Sequence, residues 1–97
     1  MPAKPIQLGA LQFTRRGDAA TYLRNMLNRY DVGDKVTSSD SATLLAAIAL
    51  HRDATALTGS GIGSFSVRSA DYGTKCFWVN RTDGSTEKFS IRSCIYT

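Results

Sequence analysis

The stretch from His51 to Cys94, HRDATALTGSGIGSFSVRSADYGTKCFWVNRTDGSTEKFSIRSC, decides the fold. Its hydrophobic period changes partway along. After the glycine-rich break at residues 58–63, apolar residues recur at every second position, the spacing of a half-buried strand. Over residues 64–68, Phe65 and Val67 point one way and Ser64, Ser66 and Arg68 the other. Over residues 75–81, Phe77 and Val79 join the apolar face and leave Cys76, Trp78 and Asn80 outside. Over residues 87–95, Phe89, Ile91 and Ile95 point inward, with Lys88, Ser90, Arg92 and Cys94 outward. Turns at residues 71–73 and at Asp83-Gly84 join these runs, because Gly accepts the positive φ that tight hairpins need. The pattern predicts an antiparallel meander with one apolar face.

Upstream, the period is helical. Asp18 is a good N-cap, and Ala19, Leu23, Met26, Leu27 and Tyr30 then fall on one stripe over three turns, with Arg24, Asn25 and Asn28 opposite. The helix should stop before Gly33. A second cap cluster, Ser38-Ser39-Asp40, precedes an alanine-rich run in which Leu44, Leu45, Ile48 and His51 share a face. Residues 7–13 alternate loosely, with Leu11 and Phe13 together, and predict a short edge strand. The expected fold is α+β: two helices packed on one face of a three- to four-stranded, mainly antiparallel sheet, in the order β-α-α-β-β-β. Residues 1–6, with Pro2 and Pro5, are expected to be a flexible N-terminus, and residues 7–97 one domain.

Composition narrows the class. The chain has 97 residues, 42% hydrophobic and 21% charged, ordinary values for a folded domain. Its longest mostly apolar run, residues 42–50, is far too short to cross a bilayer, and the N-terminus lacks a signal-peptide core. A cytoplasmic, monomeric protein without membrane contact is expected. Twelve Lys and Arg against eight Asp and Glu give +4. That mild excess suits nucleic acid or an acidic protein partner, but its scatter excludes a basic arm.

Gly59-Ser60-Gly61-Ile62-Gly63 looks like a phosphate-binding turn, but such turns run strand, glycines, helix, and this one runs helix, glycines, strand. Gly59 is then expected to cap the second helix. His51, the single histidine, is either a structural residue holding that turn or the centre of a pocket with Gly59 and Gly61. Asp53 and Asp71 are candidate carboxylate partners for it, at spacings that match no catalytic motif. Cys76 and Cys94 share a parity and could be cross-strand neighbours, with free thiols the plainer expectation. A metal site needs about four ligands, and two thiols plus a distant imidazole fall short. No catalytic residue, metal or cofactor is expected.

Trp78 is the sharpest feature. Its parity sets an indole on the outer sheet face with Arg68, Asn80, Lys88 and Arg92. Aromatic side chains on a basic sheet are a common platform for single-stranded nucleic acid, at about 1–3 kcal/mol per stacked base. The plainer alternative covers Trp78 with the N-terminal segment, Tyr72 or Tyr96, or slips the register by one.

The ordered set Phe13, Ala19-Ala20, Tyr22, Met26-Leu27, Tyr30, Leu44-Leu45, His51, Gly59-x-Gly61-Ile62-x-x-Phe65-x-Val67, Cys76-Phe77-x-Val79-x-Arg81-x-Asp83-Gly84, Phe89-Ser90 and Cys94 resembles the small DCL (defective chloroplasts and leaves) domain, one of unknown function. The resemblance spans residues 13–95. Members of that family stand alone in bacteria. In plants the domain occurs in chloroplast proteins linked to ribosomal RNA processing and at the tail of plant-specific RNA polymerase largest subunits. The resemblance therefore implies an RNA-related role and no known enzymatic reaction. Together with the Trp78 face, it leads to the expectation of a non-enzymatic RNA-associated module, with single-stranded or ribosomal RNA as partner. Leu57 and Thr58 stand where relatives often carry a lysine before the glycine turn.

Overall fold

A computed structural model describes residues 5–69 and 73–95. The elements run β1 (Ile6–Leu8), β2 (Leu11–Phe13), α1 (Arg16–Asn28), α2 (Ser38–Ala49), α3 (Ala54–Thr58), β3 (Ile62–Ser69), β4 (Lys75–Arg81), β5 (Thr86–Phe89) and α4 (Ile91–Ile95). The expected α+β class is the one observed, with helices packed against an antiparallel sheet.

The meander forms with the expected parity. β3, β4 and β5 lie in that order, with Ser66 opposite Trp78, Val67 opposite Phe77, and Trp78 opposite Lys88. Phe65, Val67, Phe77, Val79 and Phe89 are buried on the inner face. The Phe77 and Phe89 rings stack at 6.2 Å, and Phe65 meets Phe89 edge-on at 6.0 Å. Burying each such side chain is worth about 1.5–3 kcal/mol. The β4–β5 loop, residues 82–85, is closed by a hydrogen bond from Arg81 N to Ser85 O (2.8 Å), with Gly84 at φ +90°. The first turn of the meander falls mostly on residues 70–72, outside the described residues.

The free edge of β3 is capped by the chain between α1 and α2. Val36 N donates to Phe65 O and Val67 N to Asp34 O, so residues 33–36 add a fourth, strand-like row. Tyr30 fixes this connection. Its hydroxyl donates to Asp40 Oδ2 at 2.6 Å and accepts from Thr37 N at 3.2 Å, joining the end of α1 to the start of α2.

Several expectations are corrected. Residues 6–13 form a separate β1–β2 hairpin, Ile6 opposite Phe13, and not an edge strand of the main sheet. Ile6 therefore belongs to a strand, and residues 1–4 of the expected flexible N-terminus lie outside the described residues. Helix α1 starts two residues before Asp18, whose carboxylate sits in the first turn and favours the helix dipole there without capping it. Thr37, and not residues 38–40, caps α2: its hydroxyl accepts from Asp40 N. Leu45 is 47% exposed, because α2 buries only the stripe of Thr43, Leu44, Ala47 and Ile48. A third helix follows, and Gly59 caps it instead of α2. The last strand ends at Phe89. Ile91, Cys94 and Ile95 are spaced i, i+3 and i+4, so the chain turns into α4, which packs against α1 and α2 and buries Cys94 and Ile95.

Candidate nucleic-acid interface

The outer sheet face carries Ser64, Ser66 and Arg68 from β3, Cys76, Trp78 and Asn80 from β4, and Lys88 from β5. These side chains form one connected layer. Arg68 lies with its guanidinium carbon 5.5 Å from the Trp78 ring centroid, cation–π geometry. Its Nε donates to Ser66 Oγ at 3.3 Å and its Nη2 to Asn80 Oδ1 at 3.2 Å. The Asn80 amide nitrogen donates in turn to Ser64 Oγ and Ser66 Oγ, both at 3.2 Å. A flexible cation is thus held over an indole by two hydrogen bonds. That lowers the entropy cost of using it on a ligand.

Trp78 itself is half-buried. Its Nε1 is sealed from solvent without a hydrogen-bond partner among the described residues, which costs about 1–3 kcal/mol. The exposed cation above the ring, and not the indole edge, is what this layer offers to solvent. Tyr72 and Tyr96, expected as covers, lie outside the described residues.

Four of the five expected interface residues, Trp78, Arg68, Asn80 and Lys88, share this face. Arg92 does not: it sits on α4 at the end of the sheet, because the chain leaves the strand after Phe89. Parity alone gives Ser64 and Ser66 as outward polar residues. Their role in orienting Asn80 and Arg68 depends on side-chain geometry that parity does not carry.

The residues of the second expected site lie at the α2–α3 turn and the turn after α3. His51 Nδ1 accepts a hydrogen bond from Asp53 N at 2.9 Å, so the imidazole ties the α2–α3 turn. Gly59 borders an open hollow with Ala49, Ala54, Thr55 and Thr58, and neither His51 nor Gly61 lines it. Arg81 closes the glycine turn, its Nε and Nη2 donating to the carbonyls of Leu57 (2.9 Å) and Ala56 (3.0 Å). Thr82 N donates to Gly61 O at 2.9 Å.

Cys76 and Cys94 are free thiols, and they are not the cross-strand neighbours their parity suggested. Cys76 is half-buried on the outer face and donates to Phe89 O at 3.1 Å; burial pushes its pKa up. Cys94 is buried in α4, which raises its pKa to about 12. Among the described residues, no three His, Cys, Asp or Glu side chains come together to hold a metal, and no helix is long and apolar enough to cross a membrane.

Comparison with known proteins gives three matches. The family model DUF3223, described as a protein of unknown function, matches residues 24–95. The solution NMR structure of an uncharacterized protein from Rhodospirillum rubrum is 50% identical, with a TM-score of 0.89, covering 95% of this chain and 88% of that one. DNA-directed RNA polymerase IV subunit 1 of Arabidopsis thaliana is 27% identical over 74 residues; the match takes in 75% of this chain and 5% of the subunit.

Proposed function

Because the chain belongs to the DUF3223 family of proteins of unknown function, we propose its role from the outer sheet face: a non-enzymatic module that binds single-stranded RNA, in the setting of ribosomal RNA processing or maturation that the DCL resemblance implies. The observation that carries this reading is Arg68, held over Trp78 at 5.5 Å and pinned by Ser66 and Asn80. A guanidinium plane backed by an aromatic ring can stack a splayed base on its open side or pair with a phosphate. Lys88, exposed directly across from Trp78, supplies a second cation within one residue row. Asn80, held in the same layer, is a polar neighbour suited to a base edge. The sequence match to a subunit of an RNA-synthesising enzyme supports an RNA-related setting without fixing the partner.

The test is anisotropy of a labelled single-stranded RNA at low salt. Binding should weaken with added salt, at a slope of roughly 0.7 per phosphate contact, and Arg68→Ala should weaken it at every salt concentration. Absence of binding at low salt, or equal affinity of Arg68→Ala and the unsubstituted protein, would rule the reading out.

A further inference from the structure

Arg68 is only partly used by the layer that holds it. A guanidinium carries five N–H donors in one rigid plane. Its Nε donates to Ser66 Oγ and one N–H of Nη2 to Asn80 Oδ1. Both N–H groups of Nη1 and the second of Nη2 remain, and among the described residues none of them has an acceptor. One on Nη1 and one on Nη2 run parallel from the end of the side chain. They form an unused fork on an exposed residue.

The fork is also aimed. Ser66 lies two positions away on the same face of β3, and Asn80 lies on the neighbouring strand, opposite Ser64. Ser66 is buried, and the Asn80 amide is tied to both serines at 3.2 Å, so neither acceptor is loose. The Trp78 ring, 5.5 Å away, backs the group from a third direction. A phosphate makes little use of such fixed direction, since a lysine point charge also serves it. A rigid fork suits a partner with two acceptors side by side.

Among unpaired bases, guanine offers that partner. Its O6 and N7 are adjacent acceptors, and arginine donating to both is the commonest specific contact with a base. Adenine sets an amino donor beside N7, so one N–H would meet another. Cytosine likewise carries an amino donor at N4, beside its ring acceptor.

We propose that the outer sheet face reads guanine in single-stranded RNA: Arg68 Nη1 and Nη2 donate to O6 and N7 of one unpaired guanine, and Ser66 and Asn80 set the direction of the fork. This preference rests on the RNA reading above and adds a base to it.

The probe is a labelled short oligouridylate carrying one central guanine, adenine, cytosine or 7-deazaguanine, or uridine throughout, titrated by anisotropy into the full chain at low salt. The guanine oligomer should bind at least fivefold tighter than the adenine, cytosine and all-uridine oligomers, the lower end for a bidentate base contact. Replacing N7 by carbon in 7-deazaguanine should remove most of that advantage. Arg68→Lys keeps the charge but has no fork, and it should bind all four bases alike; its ¹⁵N spectrum monitors the fold. The 7-deazaguanine comparison needs no variant and stands whether or not Arg68→Lys folds. Salt-sensitive binding with equal affinity for every base would overturn the guanine preference and leave the RNA reading intact. So would 7-deazaguanine binding as tightly as guanine, or a guanine advantage that survives in folded Arg68→Lys. No binding of any oligomer at low salt would overturn both.

Discussion

Gly59 and Arg81 are fitted to each other: a Cβ placed on Gly59 would lie 2.8 Å from both Cδ and Nε of Arg81. The arginine is not free to retreat, because the same side chain donates to Ala56 O and Leu57 O and pairs with Glu87. Gly59 also sits at φ +53°, ψ −122°, a conformation L side chains rarely adopt. Strain and crowding act together, so Gly59→Ala should destabilise the fold by about 1–3 kcal/mol. Urea unfolding checks this. A variant as stable as the parent would show that the α3–β4 contact is not tight.

The Tyr30 hydroxyl joins two helices through Asp40 and Thr37. Tyr30→Phe keeps the ring and removes the joint. It leaves Thr37 N and the Asp40 carboxylate short of a partner, at a cost of about 1–3 kcal/mol. Hydrogen exchange should then speed up first at the start of α2, before the sheet is affected. Uniform acceleration across the chain would contradict that local role.

Cys94 makes stability depend on alkaline pH. Its folded thiol titrates near 12, against about 8.5 for an unfolded thiol. The folded state therefore keeps its proton where the unfolded state has lost it. The contribution is complete below about 8.5 and is lost as the pH rises towards 12. Unfolding free energy measured from pH 8 to 10 should fall, and Cys94→Ala should show a shallower fall from a lower starting stability. Parallel slopes in the two proteins would rule out this linkage. The folded thiol should also resist alkylation at pH 8, since burial removes both access and thiolate.

The sheet was legible because Phe65, Val67, Phe77, Val79 and Phe89 alternate with polar neighbours, and a one-residue slip would expose them all. The C-terminal turn was not. Phe89 and Ile91 extend the strand alternation by one step, while Ile91, Cys94 and Ile95 already satisfy helical spacing. Two readings overlap on the same residues, and packing against α1 and α2 decides between them. That single boundary moved Arg92 off the outer face and onto α4. Leu45 misled for a related reason: adjacent helical residues point about 100° apart, and the core takes Leu44 but not its neighbour. On the outer sheet face, parity correctly grouped Arg68, Trp78, Asn80 and Lys88. The layering of Arg68 on Trp78, and the serines that hold it, arise from rotamers chosen in three dimensions.

The most direct measurement of the central proposal is a ¹H–¹⁵N titration of the full chain with a short unstructured RNA at low salt. The account predicts that the largest shifts fall on Ser66, Arg68, Trp78, Asn80 and Lys88, including the Arg68 Nε–H signal that now faces Ser66 Oγ. Shifts confined to the α2–α3 side around His51 and Gly59, with the Arg68 and Lys88 signals unmoved, would contradict it.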